Sequence, residues 1–483
     1  MGEAISAHRT VDTDRGEIFS WAMYDWANSA FSTIVVTTLL GPYLSNLAED
    51  VGGVSFLNMR FEPDAFFPTM VSVSVILQVL LLPLLGTIAD YSTLKKKLML
   101  VFASIGAIAT LLLFFVQPNM PLLGTNGAVL LGGLLFIIAN LSFGAAVVLY
   151  NAFLPDIAEP KDRDRISSFG WALGYLGGGL ALLIALGLFT VMEDKGLAVR
   201  IGLALAGAWW LIFTLAFPAR KLRQRPALKK LPEGETISTI KSYILRQITK
   251  NIATALTILV TTGRIDIVIK KGIRKILKPF IIMRHEYPET FKYLIAYLIY
   301  NDGIQTVIVV STMFAATELG AGADTLMLLI LMIQFLAFFG ALLFGWIAGK
   351  IGAKKAILIS IVIWAGIVIY AYALLYEIWQ LFLLGAFVAL VMGGSQALSR
   401  SFYSQIIPRQ NESEYFGYYE ISERGTSWIG PLVFAAAVQF TGSSRVAILS
   451  LILFFVVGLL LLIPVNVRKA MLDAGNDPTG VVI

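Results

Sequence analysis

Apolar segments of about 20 residues recur along the whole chain, and each is long enough to cross the hydrocarbon core of a bilayer. Only 14% of the 483 residues are charged and 57% are hydrophobic, whereas soluble domains carry about 25% charged residues. Within lipid every backbone polar group needs an internal partner, so a spanning segment is a helix or part of a closed barrel. The segments are continuously apolar rather than alternating, which favours helices. The sequence therefore predicts an all-α polytopic membrane protein.

The chain divides into two similar halves of apolar segments. We count twelve spans, near 18–43, 65–90, 98–117, 127–152, 167–191, 198–218, 290–315, 323–349, 355–376, 379–400, 415–439 and 445–466. A long polar stretch separates the sixth span from the seventh. We therefore expect an N-terminal tail at 1–17, a six-helix bundle at 18–218, a linker at 219–289, a second six-helix bundle at 290–466 and a tail at 467–483.

The loops between the spans alternate in charge. Every second loop is basic, and these loops contain Lys95–Lys97, Lys350 with Lys354 and Lys355, Arg400 with Arg409, and Arg468 with Lys469. Lysine and arginine concentrate on the cytoplasmic side of membrane proteins. We therefore predict that both termini are cytoplasmic, in agreement with an even number of spans, and that the chain resides in the plasma (inner) membrane.

The linker at 219–289 is strongly basic. Between Ile237 and Ile282 its lysines and arginines alternate with isoleucine, leucine and valine, a pattern typical of an amphipathic helix on the inner leaflet. The apolar run 252–260 is too short to cross a bilayer. We expect an interfacial linker that contacts anionic lipids; a regulatory docking element is the alternative.

Several classes of function are excluded by residues that the sequence lacks. There are no cysteines, and the two histidines, His8 and His285, lie outside the apolar segments, so thiolate sites and histidine metal clusters are excluded. No nucleotide-binding loop and no hydrolase motif occur. The formal charge of +6 resides in loops on one side and does not indicate nucleic-acid binding. We expect no enzyme activity, cofactor or metal.

A polar stripe interrupts the first apolar segment, which opens at Trp21. Asp25, Asn28, Ser29 and Ser32 follow the i, i+3, i+4, i+7 spacing of one helix face. An ionisable group in hydrocarbon is costly, so it usually faces a bundle interior or a wet cavity. We predict that this stripe lines a solute pathway.

The two halves repeat short motifs at corresponding places. Gly86-Thr-Ile-Ala-Asp90 closes the second span and Gly345-Trp-Ile-Ala-Gly349 closes the eighth, each followed by lysines. Tyr24-Asp25 in the first span has a counterpart in Tyr300-Asn301-Asp302 of the seventh. Two six-span repeats joined by a central loop are typical of alternating-access transporters.

These motifs resemble the major facilitator superfamily, and within it the vacuole-effluxer-like branch. That branch includes the autophagy-related amino-acid effluxer of fungal vacuoles and many bacterial permeases. The stretches that carry the likeness are Trp21–Phe31, Tyr150–Asp156, Phe169–Gly177, Tyr300–Gly303 and Phe416-Gly417 leading to Gly430-Pro431. They cover both halves except 225–285, so the resemblance implies the twelve-helix fold of two pseudo-symmetric bundles.

The resemblance also implies a conformational latch after the second span. In the superfamily the acidic residue of this motif caps or pairs with a neighbouring helix end at the cytoplasmic face. Here that residue is Asp90, with Lys95 and Lys96 in the loop that follows. The second half carries Gly349 at the position of Asp90, so only the first copy keeps the carboxylate.

Carboxylates inside the spans are the predicted proton carriers. Asp302 lies near the middle of the seventh span, beside Asn301 and on one face with Gln305 and Thr306. A carboxylate in a low-dielectric cavity can exchange a proton near neutral pH, and the spans contain no histidine. The alternative is that Asp25 and Asp302 are structural anchors to facing helices.

A second charged group lies in the eleventh span, where Glu420, Glu423 and Arg424 follow one another. Glu420 and Arg424 are spaced i, i+4 and can pair on a helix. They would serve a zwitterionic solute, whose two charged ends need a carboxylate and an arginine. A salt bridge at a gate is the equal alternative.

We therefore expect a proton-coupled secondary transporter for a small polar organic solute, with amino-acid efflux as the leading activity that the resemblance implies. A facilitative uniporter would use Asp25 and Asp302 only to bind solute. A non-transporting membrane sensor or assembly protein would have kept the fold and lost turnover. Measured flux separates these three hypotheses.

Overall fold

The computed structural model describes residues 14–56, 59–227, 280–424 and 429–483. In these residues eleven helices are long and apolar enough to cross a membrane, and Ile429–Thr441 adds a shorter apolar helix. The short strands β1 (Val54–Phe56) and β2 (Met59–Phe61) pair antiparallel in a loop, with Val54 opposite Phe61. The prediction of an all-α polytopic membrane protein is confirmed.

Six long helices form the first half of the chain. They are α1 (Arg15–Glu49), α2 (Pro63–Tyr91), α3 (Lys95–Leu112), α4 (Gly124–Asn151), α5 (Arg163–Val191) and α6 (Lys195–Ala216). The Asp14 carboxylate accepts a bond from the Gly16 amide and so begins α1 with a side-chain cap. Within α1, Phe31–Leu39 is wound as a π-helix.

The second half repeats this arrangement. Its helices are α7 (Pro288–Leu319), α8 (Ala323–Ile351), α9 (Ala353–Ala373), α10 (Ile378–Ile406), α11 (Glu412–Arg424), α12 (Ile429–Thr441), α13 (Ser444–Leu462) and α14 (Val467–Asp473). Gly320 ends α7 with φ of 63°, a left-handed conformation that glycine adopts without strain. The predicted eleventh span corresponds to α11 and α12 together.

Basic residues predicted in loops lie in helices at the ends of several elements. The prediction that Arg400 belongs to a basic loop is wrong, because α10 continues through it to Ile406. The same correction applies to Lys95–Lys97, Lys350, Lys354 with Lys355, and Arg468 with Lys469, which lie in the first or last turns of α3, α8, α9 and α14. Most of the predicted linker, residues 228–279, lies outside the described residues. Its described margins are a short helix at Pro218–Lys221, an extended segment at 222–227 and a helical turn at 280–286.

One face of the molecule carries both described ends of the chain, and we call it the terminal face. Asp14 pairs there with Arg223, at the start of the linker. The Asn476 amide, near the other end, donates to the carbonyls of Gln405 and Ile407 at 2.9 Å each, where α10 ends. The connection from α4 to α5 lies at the same face as that from α10 to α11, because Arg163 at the start of α5 donates to the Ser404 carbonyl near the end of α10.

Glycines let the helices of the two halves approach closely. A Cβ atom at Gly345 of α8 would lie 2.6 Å from Ser168 of α5. On the other side, a Cβ at Gly86 of α2 would clash with the backbone of Ser413 and lie 2.7 Å from Glu414 Cα in α11. Backbones at this distance have no room for a side chain, so these glycines join the first half to the second.

Candidate functional site

A buried ion pair joins the two halves of the chain. Asp25 of α1 accepts a bond from Arg400 of α10 at 3.0 Å, and the side chains are 12% and 3% exposed. The Tyr150 hydroxyl donates to the same Asp25 oxygen at 2.7 Å. A buried carboxylate is stable only when it is paired and hydrogen-bonded, and both requirements are met here.

The guanidinium of Arg400 is surrounded by residues of the first half. Its Nε and Nη2 donate to the Oγ and the carbonyl of Ser167, both at 2.9 Å. Its Cζ lies 4.9–5.4 Å from the ring centroids of Trp21, Tyr150 and Trp171, within the range of cation–π attraction. This aromatic cage and Ser167 complete the solvation of a charge that is out of contact with water.

Arg400 is the residue of this ion pair that the sequence analysis does not identify as a candidate. The signal that could have placed it in a helix is Pro408, because a helix usually ends one or two residues before a proline. With α10 extended to that point, an arginine inside a span would have been a candidate for pairing with Asp25.

The predicted stripe on α1 packs against a second helix. Ideal Cβ atoms at Gly170 and Gly174 of α5 would lie 2.7 Å from Asp25 Oδ2 and 2.9 Å from Ser29 Oγ. Asn28 is buried, and its side-chain amide nitrogen has no hydrogen-bond partner among the described residues. The stripe is therefore covered by α5, a helix of the same half, and Asp25 also contacts Arg400 of the second half.

Asp302 forms a second buried carboxylate site, on α7. Its Oδ2 accepts from the Gly430 amide of α12 at 2.9 Å. A buried carboxylate is stabilised by a hydrogen bond of this kind. Asp302 is 1% exposed, and its Oδ1 has no partner within the described ranges.

Some of the remaining predicted residues lie near these two sites. Asn301, next to Asp302 in sequence, donates to the Glu423 carbonyl at 3.3 Å, and the Tyr297 hydroxyl donates to the Glu423 carboxylate at 3.3 Å. Asn151 of α4 donates to Glu420 at 3.1 Å and lies 3.4 Å from Arg400, which places Glu420 on the side of the ion pair. Gln305 is partly exposed on α7. The side chain of Arg424 lies outside the described part of the chain.

The latch motif lies between the halves at the terminal face. Both Asp90 oxygens accept bonds at 2.9 Å from the amides of Ser413 and Glu414, at the start of α11. Lys95 pairs with Asp156 at 3.1 Å and with Glu412 at 3.4 Å. Lys96 contributes its backbone amide, which donates to the side chain of Gln224 at 2.9 Å.

Glu412 is enclosed within this latch cluster. Burial raises the pKa of Glu412 above its usual value, an effect that the nearby Lys95 ammonium opposes and the Asp156 carboxylate reinforces. The carboxylate would be costly to bury without Lys95. The ammonium therefore holds the end of α4 and the start of α11 together.

A third group of contacts closes the terminal face between α5 and α10. The Asp164 carboxylate accepts from Ser401 at 2.6 Å and from Gln405 at 2.9 Å. Arg163, which is fully buried, donates to the Ser404 carbonyl at 2.6 Å. Together with the ion pair and the latch, these contacts seal the halves from mid-membrane to the terminal face.

Among the described residues, the polar contacts between the halves reach from the terminal face to the middle of the spans. The contact farthest from the terminal face joins Thr33 of α1 to Gln334 of α8 at 3.1 Å. Tyr175 and Gln396 meet at 2.5 Å on the terminal side of it. No group of three His, Asp or Glu side chains among the described residues is arranged to hold a metal ion. The arrangement is therefore an interface of hydrogen bonds and ion pairs between two helical halves.

Comparison with known proteins gives a family match along almost the whole chain. The family described as "Vacuole effluxer Atg22 like" matches residues 13–475. The MFS-type transporter YxiO of Bacillus subtilis is 31% identical over 466 residues, which cover 95% of this chain and 97% of that protein. Autophagy-related protein 22-1 of Penicillium rubens is 25% identical over 584 residues, with coverage of 96% and 92%.

Solved structures of the major facilitator superfamily share the fold. FucP in its outward conformation superimposes with a TM-score of 0.61 at 10% identity, covering 93% of this chain and 98% of that one. The proton:xylose symporter XylE superimposes with a TM-score of 0.63 at 13% identity, with coverage of 92% and 94%. At this identity the likeness concerns the arrangement of helices.

Proposed function

Since this chain belongs to the vacuole effluxer Atg22-like family of the major facilitator superfamily, we propose that it moves a small polar organic solute by alternating access. Family and fold both point to a transporter rather than an enzyme. The observation that carries the proposal is the Asp25–Arg400 pair, because its two members come from different halves of the chain. A pair of this kind breaks when one half rocks against the other.

The closed terminal face is one of the two states that such a cycle requires. Asp90 caps the start of α11 in this state, and a capping carboxylate stabilises a helix by about 0.5–2 kcal/mol. We propose that Asp90 and Lys95 act as the latch, which stabilises closure at the terminal face and releases when that face opens. Lys96 supports the latch through its backbone.

Amino acids are the proposed solutes, and efflux is the proposed direction. The support is the likeness to a family whose description is a vacuole effluxer. Glu420 lies near Arg400 through Asn151, so acidic and basic groups converge where a zwitterion would need them. The broader proposal, that the solute is a small polar molecule, does not depend on these residues.

Proton coupling through Asp302 is the second part of the proposal. A carboxylate in a span is costly unless it has a partner or a function, and Oδ1 of Asp302 has no partner among the described residues. A proton on Asp302 would weaken its bond to the Gly430 amide and so alter the contact between α7 and α12. Protonation and helix movement are thereby linked.

We also propose that both termini are cytoplasmic and that the protein resides in a plasma membrane. The first statement rests on the basic loops of the terminal face, and the second on the likeness to a bacterial transporter. The basic linker would then lie against anionic lipids. A non-transporting sensor remains the second hypothesis, and measured flux decides between them.

Purified protein in liposomes should move amino acids in proportion to an imposed pH gradient. Asp302→Asn should remove the pH dependence and reduce driven flux at least about tenfold, because the group that carries the proton is gone. Asp64→Asn, at the exposed start of α2, is the matched control and should leave flux unchanged. The measurement is solute uptake with a pH-sensitive dye inside the vesicles.

Three results would contradict parts of this proposal. Flux that ignores the pH gradient in wild type would identify a uniporter. Unchanged coupling in Asp302→Asn would make that carboxylate a structural anchor. The absence of flux for every amino acid, with folded protein, would favour a non-transporting protein or another solute.

A further inference from the structure

Arg400 depends on the opposite half of the molecule for all of its described polar and ring contacts. Asp25, Asn151 and Ser167 accept its hydrogen bonds, and all three belong to the first half. The rings that surround it are also contributed by the first half. Separation of α10 from the first half would therefore remove these partners together.

Asp25 is in a different position from its partner. When Arg400 leaves, Asp25 keeps the hydrogen bond from Tyr150, which belongs to its own half. The guanidinium keeps none of these hydrogen bonds and ring contacts, while Glu420 of its own half, which meets Asn151 at 3.1 Å, stays on the same side. An arginine cannot lose its charge in a protein, so opening the terminal face leaves an obligatory cation that needs an anion or water.

Buried donors that could serve an anion lie close to this position. The indole nitrogen of Trp171 is buried and without a partner among the described residues, and its ring lies 5.4 Å from Arg400 Cζ. The amide nitrogen of Asn28, one turn along α1 from Asp25, is likewise buried and unpartnered in the described structure. Unsatisfied buried donors of this kind call for an explanation, and a ligand anion supplies one.

We propose that Arg400 binds the carboxylate of the transported solute when the terminal face opens, and that Asp25 binds its ammonium group. In the closed state Asp25 and Arg400 are each other's partners. In the open state the carboxylate and the ammonium group of the solute replace those partners. The ammonium and carboxylate of an α-amino acid lie about 3 Å apart, so one molecule can contact both residues once they separate by a few ångströms. This inference rests on the proposed transport function and names the residues that select its substrate.

The exchange also explains how solute lowers the barrier to opening. Without solute, opening leaves two separated charges, of which only Asp25 retains a hydrogen-bonding partner. With a zwitterion, each charge exchanges one partner for another. A solute without a carboxylate leaves Arg400 unpaired. The site should therefore reject it because of the missing charge and not because of its size.

The test compares each transported amino acid with its amide and with the amine that lacks the carboxylate, in liposomes containing the full chain. Wild type should transport the amino acid at least about tenfold faster than either analogue, as expected when a buried charge loses its partner. Arg400→Lys should keep this preference in part, because it retains the charge without the bidentate geometry.

The double variant Asp25→Asn/Arg400→Gln keeps a hydrogen-bonding pair without charges. It should therefore fold even if a single variant, which leaves one buried charge unpaired, does not. It should transport the amino acid and its amide at equal rates. The control is Glu318→Gln/Arg445→Gln, which neutralises an ion pair within the second half and should keep the wild-type preference.

Two results would overturn the inference, and a third would overturn its premise. Equal flux of amino acid and amide in wild type would remove Arg400 from substrate recognition while leaving transport intact. An undiminished preference in the double variant would do the same. If the wild-type protein transports no amino acid, the proposed function itself is overturned, together with this inference.

Discussion

Asp25→Asn is expected to destabilise the closed terminal face by about 3–5 kcal/mol, because it leaves the Arg400 charge buried without a counter-ion. Arg400 is 3% exposed and has Asp25 as its acidic partner at 3.0 Å. We expect the midpoint of thermal unfolding in detergent to fall and transport to be lost. The reverse single variant, Arg400→Gln, should also lower the midpoint, since it leaves the Asp25 carboxylate without its cation.

A double-mutant cycle separates this pair from a general effect of substitution. Asp25→Asn/Arg400→Gln removes both charges, so it should recover most of the stability that either single variant loses. If the losses of stability in the two single variants simply add in the double variant, the pairing of Asp25 with Arg400 is contradicted. Single variants with the wild-type midpoint would show that the ion pair contributes little to closure.

Gly86→Val is expected to hold the terminal face open. A side chain at Gly86 has no room in the closed state, because the Ser413 backbone and Glu414 Cα, at 2.7 Å, occupy its place. Overpacking of this kind costs about 1–3 kcal/mol, which shifts an equilibrium about 5- to 150-fold. The bundles themselves should stay folded, because the three atoms nearest to the new Cβ all belong to α11 of the other half.

Labelling of an introduced cysteine measures this opening. The chain has no cysteine of its own, so Ser404→Cys, which is 1% exposed in the closed state, supplies one reporter. Its reaction with a membrane-impermeant reagent should accelerate in Gly86→Val. The control is Gly366→Val, where no atom lies within 4 Å of the new Cβ. Equal labelling in both variants would contradict the account of closure.

The helices were predictable because the bilayer restricts the choices. Segments of about 20 apolar residues have few alternatives to a helix in lipid, and their order along the chain matches α1 to α13. Ends of helices were less certain, as α10 illustrates. The sequence pattern predicts Arg400 in a loop because a charged residue usually lies outside a span, and its compensating partner is 375 positions earlier in sequence.

The candidate site was predictable in part, for the same reason. A carboxylate within an apolar segment signals that something faces it, which identified Asp25 and Asp302. The identity of that partner depends on how helices pack, and neither composition nor spacing specifies it. Asp90 could be related to the start of α11 only through the family resemblance, because Ser413 lies 323 residues away.

The polar stripe is an example in which the sequence identifies a helix face but does not identify the helix that packs against it. Asp25 and Ser29 do share a helix face, but the glycines of α5, a helix of the same half, cover that face. Their contact with this stripe depends on the rotation of α5, which no local pattern determines.

A reversible cross-link between Asp164→Cys and Ser401→Cys tests the central claim most directly. The wild-type side chains meet at 2.6 Å across the two halves, so the cysteines should form a disulfide that locks the terminal face. The control pair, Ser74→Cys/Asn140→Cys, joins side chains 2.7 Å apart within the first half. If the halves alternate, oxidation should reduce flux to background only in the first variant, and reduction should restore it. Full flux through the cross-linked protein would contradict alternating access at this interface.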